Sequence, residues 1–532
     1  MAELEYKAAR ASVIRLILLV AAVLQLVRIA QVQSSTGEVP FLSANDRSRW
    51  CTVAALTING SYEIDEVVEI RDPQTRRRTW YTIDMVQHRG MDGKQHFYSS
   101  KPPLLPTLYA GVYYTLRAIT GSSLMNDPFF VARCMLVLVN WLPLVATWCL
   151  LARWLTEKTD DWAATVAITF IGFGTFLSTF ANTLNNHLPA ALAVGISLWC
   201  IDRIALQKDR AWRWFVLCGL TTSFGAANEL PALSWVAAAG ALLLLIDAQR
   251  TLLGYVPALV PVALGFFVTN YIAHGEWIPA YAHRNLGEQL LSVEVKDAQN
   301  LAALEPQVMV EALNAQEFGV SNQLAIRPAR RPGVWEAWDE VTQQRFGLQP
   351  IEGQSRVGVF RWGDWYDYPG SYWLSDRKQG VDRGEADRSV YVFHCLVGHH
   401  GIFSLTPFWL LSVLGCVCVW RSRATWNIFR DRPTLIAAAI LATSLVAVAF
   451  YLARPLEDRN YGGVASGFRW SFWLTIPWIW LAIHALRATK AAWQRRMVEI
   501  CLAVSVFSAF YAWANPWTSP WLMQYWEYLG WL

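Results

Sequence analysis

The residues best able to do chemistry lie in two short stretches that follow the first long apolar run. The first, SANDRSRWCTVAALTING, covers residues 43–60. Ser43 or Asn45 can cap a helix there, Trp50, Val53, Ala54 and Leu56 recur at helical spacing, and Gly60 can end it. Asp46 then falls in the first turn, where the helix dipole favours a carboxylate, and Arg49 shares its face three residues on. This pattern has two readings: a capped amphipathic helix lying on a bilayer with a surface ion pair, or a catalytic carboxylate. The second stretch, DGKQHFYSSKPPLLPTLYAGVYY, holds Lys101 directly before two prolines. Proline keeps the preceding backbone extended, so Lys101 projects at the start of an interfacial helix. A lysine there is a point-charge ligand for phosphate or a side chain snorkelling to the headgroups.

Other polar residues interrupt apolar runs. FANTLNNHLPAA brings Asn182, Asn185, Asn186 and His187 to one short connection without a carboxylate. These groups suit hydrogen bonds to a sugar or phosphate, with His187 able to exchange a proton, or simple capping by Asn186. Glu229, in AANELPAL, lies between two apolar runs, where a carboxylate is expensive unless paired or solvated. RPLEDRNYGGVASGFRW offers Arg459, Tyr461 and Arg469 as phosphate or sugar contacts, and Gly462 and Gly463 allow close backbone approach. An ordinary outer loop with arginines at headgroup level fits that stretch equally. RWGDWYDYPGSYW, residues 361–373, suits stacking on sugar rings or anchoring at an interface. His394, His399 and His400 invite a metal, but no acidic or cysteine ligand completes a recognisable spacing, so no metal and no cofactor is expected.

The elements that must position these residues are apolar. The 532-residue chain is 54% hydrophobic and 16% charged, against roughly 25% charged in soluble domains. Its 29 tryptophans suit two membrane–water interfaces. Intrinsic disorder, a secreted disulfide scaffold and nucleic-acid binding are excluded, and a net charge of +4 implies no polyanionic partner. The nine cysteines lie mostly in apolar runs and form no CxxC pair; a Cys51–Cys395 bridge is the one disulfide the polar segments allow.

An uncleaved signal anchor at 14–29 and apolar segments near 128–153, 162–181, 187–203, 213–230, 232–248, 253–273, 402–420, 434–453, 468–487 and 497–514 give about eleven transmembrane helices. The fold expected is therefore all-α and polytopic. The segment 102–120, broken by prolines, fits the outer interface, because the basic connections 153–158, 203–213, 421–432 and 487–496 then all fall in the cytoplasm. The chain divides into a cytoplasmic N-terminus with the first span (1–32), a first outer loop (33–127), spans two to seven (128–273), a large outer loop (274–400), the last four spans (401–514) and an aromatic outer-interface tail (515–532). Residues 286–360 show mixed helical signals and no motif. Polar mass gathered on one face suits chemistry at the outer surface on something the membrane delivers.

An acidic residue plus arginine after a first span, followed by a KPPL motif, resembles the membrane-embedded glycosyltransferases of the C superfamily. The resemblance extends to bacterial aminoarabinose transferases that modify lipid A and, more distantly, to protein O-mannosyltransferases. It is specific over about 43–115 and architectural beyond. It implies a polyprenyl-phosphate-linked sugar donor among the membrane lipids, with Asp46 as general base and Lys101 on the donor phosphate. Arg49 would orient Asp46 or reach that phosphate, and transfer would invert the anomeric carbon. The acceptor stays open between protein, lipid and glycan. Many relatives carry a second acid in the next outer loop; residues 182–187 have none. A lipid-linked precursor transporter or flippase, and a non-catalytic scaffold of the same fold, remain the rival readings. A bacterial inner membrane with an external active face is the expected location.

Overall fold

Long runs without backbone-breaking residues, in a chain this apolar, fold as helices, and each apolar segment read above as a span is helical over most of its length. The computed structural model describes residues 2–295, 297–298, 300–331, 333–374, 377–423, 427 and 430–532, the side chains of 2–9 excepted. Part of the basic connection 421–432 lies outside the described residues.

Two compact units emerge, each built from separate stretches of chain. The helical unit comprises Met1–Asp46, Gly111–Gly265 and Gly380–Leu532; the second comprises Arg47–Ala110 and Phe266–Gln379. Six helices among the described residues are long and apolar enough to cross a membrane: Arg10–Ala30, Pro128–Lys158, Asp161–Asn182, His187–Ala205, Ala248–His274 and Arg432–Leu452. The chain is a multi-pass membrane protein. The expected eleven spans exceed this count for physical reasons. Trp212–Asn228 has 17 residues, Thr475–Ala488 has 14, and Leu233–Leu244 and Leu410–Arg421 have 12 each, short of the roughly 20 that span a bilayer. Ala492–Tyr511 is long enough but carries Arg495, Arg496 and Glu499.

Capping carboxylates start several helices: Asp160 accepts from the Ala163 N–H at 2.9 Å and Asp431 from the Thr434 N–H at 3.2 Å. Gly415 allows Leu410–Arg421 to pack directly on Thr475–Ala488, since a Cβ there would stand 1.8 Å from the Leu481 carbonyl oxygen. The helix that begins at Asp161 does not run evenly to its end. It widens into a π-turn at Phe170–Gly174, extends at Thr175 and finishes in a 3-10 turn at Phe180–Asn182. Arg28, buried in the first span, compensates the break by donating to the carbonyls of Ser178, Thr179 and Trp513 at 2.8–3.0 Å.

The second unit overturns the all-α expectation. It contains a hairpin, β1 (Met85–Arg89) and β2 (Gln95–Ser99), and a five-stranded antiparallel sheet. The sheet strands are β3 (Gln289–Glu294), β4 (Leu324–Pro328), β5 (Trp335–Asp339), β6 (Arg345–Pro350) and β7 (Arg356–Arg361), in the order β3-β7-β6-β5-β4. Helix Pro306–Asn314 packs Met309, Val310 and Leu313 on Leu324, Ala337, Leu348, Val357 and Val359 of the sheet. The strands are five or six residues long, and RVGVFR or WEAWD intersperse charge with small apolar side chains. Such segments hold too few alternations to stand out from helical signals.

All nine cysteines are free thiols, so no Cys51–Cys395 bridge forms. Burial raises the Cys51 thiol to about 12, which keeps it protonated and inert.

Candidate functional site

In the helical unit, four apolar helices end at one polar cluster. His187 opens His187–Ala205, Glu229 follows Trp212–Asn228, Tyr451 closes Arg432–Leu452, and Arg469 begins the turn leading into Thr475–Ala488. Glu229 is buried and fully engaged. Its Oε1 accepts from Asn186 Nδ2 at 2.7 Å and pairs with His187 Nδ1, while its Oε2 accepts from the Tyr451 hydroxyl at 3.1 Å. On its other side, His187 Nε2 lies 2.9 Å from Arg469 Nη1. Guanidinium has no acceptor, so His187 accepts at Nε2 and carries its proton at Nδ1, donating to Glu229. Carboxylate, imidazole and guanidinium therefore form one relay, as a buried carboxylate at membrane depth requires.

The relay is held by the backbone around it. Arg469 Nε donates to the Gly462 carbonyl at 2.6 Å, and its guanidinium lies 5.0 Å from the Trp517 ring centre. Gly462 has φ +91°, and a Cβ there would meet Cγ and Nε of Arg469 at 3.2 Å. The glycine that the sequence offered for close approach thus accommodates an arginine of the same loop. The connection 182–187 is braced on every side. Asn140, in a π-turn at Val137–Trp141, donates to the carbonyls of Ala181 and Thr183 at 3.0 and 2.9 Å. Asn185 Nδ2 bonds the carbonyls of Phe180 and Thr183, and Trp517 Nε1 donates to Thr183 Oγ1 at 3.0 Å.

Asp46 belongs to the same polar region. Ser43 Oγ accepts from the Asp46 N–H at 3.1 Å, so Ser43 caps helix Ala44–Ile58, and Gly60 follows its end at φ +65°. The buried Asp46 carboxylate accepts from two amides at 2.9 Å: Leu42 N–H at Oδ2 and Leu184 N–H at Oδ1. It ties the first helix turn to the 182–187 connection.

Arg459 and Tyr461 stand elsewhere. Arg459 donates to the carbonyls of Arg454, Glu385 and Ala386, and Tyr461 donates to Glu385 Oε2 at 3.2 Å. Tyr461 stacks on His400, whose Nδ1 lies 2.5 Å from His399 Nδ1, and His394 stacks on His399. Burial pushes His399 down to about 3, and His400 falls well below the ordinary histidine value through burial and its histidine neighbours. The three histidines do come together, as neutral rings. Among the described residues no group of three or more His, Cys, Asp or Glu is arranged to hold a metal ion.

In the second unit, Lys101 Nζ pairs with Asp84 Oδ2 at 2.9 Å. Ser48 Oγ and the Ser100 N–H both donate to the Asp84 carbonyl, fixing that carboxylate beneath the KPPL turn. Arg49 is buried, with the Tyr109 phenol close enough to feel its charge. Of residues 361–373, Trp365, Tyr366 and Tyr368 are buried rather than displayed.

Sequence reading missed Tyr451, Asn140, Trp517 and Asp84. A tyrosine or tryptophan at the end of a span reads as interfacial anchoring, and Asn140 sits inside an apolar run with no polar residue three or four positions to either side. Asp84, in TIDM, has no flanking motif.

No protein-family model matches the chain, and no curated protein matches it by sequence. Among solved structures it is similar to the archaeal oligosaccharyltransferase AglB from Archaeoglobus fulgidus, solved with an inhibitory peptide and a dolichol-phosphate, at 12% identity and a TM-score of 0.45. The apo form of the Archaeoglobus fulgidus oligosaccharyltransferase is similar at 13% identity and 0.46. The matches cover 99% and 97% of this chain but 58% and 57% of those chains, so the chain spans less than two thirds of their length.

Proposed function

We propose that the protein is an integral membrane glycosyltransferase that takes a sugar from a polyprenyl-phosphate donor and passes it, with inversion, to an acceptor at the outer face of the membrane. The observation that carries this reading is the buried Glu229–His187–Arg469 relay at the ends of apolar helices, with Asp46 tied to the same connection. A polar site at the end of spans suits a substrate with a lipid tail and a charged head. Its leaving group is already an anion, so cations stabilise the transition state better than an acid would.

In this reading Arg469 contacts the donor phosphate, and Glu229 is a positioning residue that fixes the tautomer and direction of His187, and through it the guanidinium. Asp46, the acidic residue that the KPPL-type resemblance points to, removes the acceptor's proton. Lys101 is assigned to phosphate binding on the KPPL resemblance, with Arg49 orienting Asp46 or reaching the same phosphate, and the phosphate would have to share Lys101 with Asp84. Asn186 supports Glu229, and Arg459 and Tyr461 shape the loop that presents Arg469.

The test is transfer from a panel of radiolabelled polyprenyl-phosphate sugars in membranes holding wild type, Asp46→Asn, Glu229→Gln or Lys101→Ala. Label should move to an acceptor or to water with wild type alone. Asp46→Asn also sets an amide NH2 against a backbone N–H, costing about 1–3 kcal/mol, so rates are compared at equal folded fraction. Full transfer by Asp46→Asn would remove the base assignment. Saturable donor binding without transfer by wild type would favour a lipid-precursor transporter.

A further inference from the structure

The second unit holds a cavity of about 540 Å³ lined by the hairpin and the sheet, well inside the range of ~300–1,000 Å³ typical of small-ligand sites. Arg89, Arg327, Arg330, Arg345 and Arg361 line it, and Glu276 is the one carboxylate on its wall among the described residues. Three further carboxylates stand behind the arginines and aim them. Buried Glu336 accepts from Arg327 Nε at 2.6 Å and from Arg345 Nε. Buried Asp367 lies 3.3 Å from Arg345 Nη2 and 3.6 Å from Arg330 Nη1, and Glu288 pairs with Arg361 at 2.8 Å. Five arginines against four carboxylates leave one positive charge. His88, at the base of the cavity, adds none, because burial pushes it down to about 4.

The rest of the wall is neutral and of two kinds. Gln87, Gln95, Gln343 and Gln344 bring side-chain amides; Gln343 Oε1 accepts from the Gln95 N–H, and Gln95 Nε2 and Gln344 Nε2 each donate one N–H to a backbone carbonyl and carry a second. Trp338, Trp362 and Phe318 bring flat apolar surface, with the Arg345 guanidinium 3.5 Å from the Trp362 ring centre. His274 Nε2, buried in the wall, has no hydrogen-bond partner. Amides matched to hydroxyl pairs and indoles matched to C–H faces describe a sugar. An arginine fork held from behind and a single residual charge describe one anionic group.

We propose that this cavity binds a sugar unit bearing one anionic group, a uronic acid or a sugar phosphate. The proposal stands on the cavity alone and is independent of whether the protein transfers sugar. A bare phosphate would leave the aromatic wall unused, and a neutral sugar would leave the arginines uncompensated.

The test is calorimetric titration of the full-length protein in detergent micelles with four probes: an aldobiouronic acid carrying one uronate, glucose 6-phosphate, maltose and inorganic phosphate. At least one of the two anionic sugars should bind about tenfold or more tighter than either maltose or inorganic phosphate, and the tighter of them names the source of the charge. Arg330→Ala leaves Asp367 paired with Arg345, and Arg361→Ala unpairs only exposed Glu288, so both variants should keep the wild-type melting temperature. Each should weaken the anionic sugar about five- to tenfold and leave maltose unchanged. Maltose binding as tightly as both anionic sugars, inorganic phosphate binding as tightly, no binding of any sugar, or unchanged affinity in both folded arginine variants would each overturn the proposal.

Discussion

The helical unit and the sheet-bearing unit solve the placement of charge in opposite ways. Around Glu229 every polar atom discussed above is turned toward another: carboxylate to imidazole, amide and phenol, imidazole to guanidinium, guanidinium to a carbonyl. Around Arg345 the acids are buried behind the arginines, and a cavity of about 540 Å³ stays open in front. The first arrangement is preorganised for one geometry and gains only from partners that replace an existing bond. The second holds donors ready for whatever fills the space. Burial explains the difference. Near a membrane span no water can satisfy an unpaired group, whereas a domain with wet edges can leave arginines half-exposed.

The sharpest way to break this comparison is to remove the hub of the closed cluster. Glu229→Ala leaves His187, Asn186 and Tyr451 without their shared acceptor and should cost about 3–5 kcal/mol, the usual penalty for unpairing a buried ionic network. Glu229→Gln keeps the volume, so the protein should still fold in membranes while transfer drops about 10²–10³-fold, within the range for a lost proton-handling or positioning group. Melting temperatures and initial rates measured side by side separate the two effects. A Glu229→Gln enzyme with unchanged rate would reduce the cluster to a structural brace.

The next largest effect tests the pH response of the open unit. His88 stacks on Tyr98 and bonds His274, and burial, with the charges of His283 and His96 behind it, holds it down to about 4 from 6.5. The folded-state value is depressed, so the stability it confers is complete above pH 6.5 and is lost as pH falls toward 4. Between pH 7 and pH 5 that loss is about 2 kcal/mol. His88→Phe keeps the ring stack and should remove that share of the dependence, the remaining slope coming from the other histidines that burial lowers, His283, His394, His399 and His400 among them. Thermal melts of both proteins at the two pH values check this; parallel curves would show that His88 is not the sensor.

How much of this was visible beforehand follows the same division. Asp46, Asn186, His187, Glu229 and Arg469 stand out in the sequence because each interrupts an apolar run, where a polar residue needs a reason. Their convergence is geometric and does not follow from spacing. Arg459 and Tyr461 looked equally suitable, yet both turn toward Glu385 and its neighbouring carbonyls. The helices were legible from hydropathy, their span count less so, because four are too short and one too charged. The sheet was not legible. Its strands are short, and its arginines read as ordinary surface until strand pairing places Arg327 and Arg345 on either side of Glu336.

Gly462 offers a smaller perturbation of the closed cluster. Alanine there meets a backbone at φ +91° and the Arg469 side chain at 3.2 Å, so about 1–2 kcal/mol of stability should be lost. Arg469 should also shift from the Gly462 carbonyl, lowering transfer about tenfold. Gly463→Ala, also at positive φ but 3.5 Å from Asp382 alone, supplies the control for backbone strain. Equal rates in the two variants would show that strain, and not the position of Arg469, sets the loss.

Trp517→Phe should have the smallest effect, and the reason tests how the cluster is held. Tryptophan at 517 gives the site three things: a ring beneath the Arg469 guanidinium, an edge against Phe180, and one N–H to Thr183 Oγ1. Phenylalanine retains an aromatic ring for the first two and loses the third, a single neutral hydrogen bond of about 1 kcal/mol. Thr183 would still be fixed through its carbonyl, which accepts from both Asn140 and Asn185. Transfer should therefore stay within about twofold of wild type, whereas Asn140→Ala, which removes one donor from each of the carbonyls of Ala181 and Thr183 and leaves the latter with Asn185 alone, should cost about 2 kcal/mol and a larger share of the rate. If Trp517→Phe proves as damaging as Asn140→Ala, the connection is suspended from the aromatic tail and not from the span beneath it. The closed cluster would then be no more rigid than the open cavity with which it contrasts.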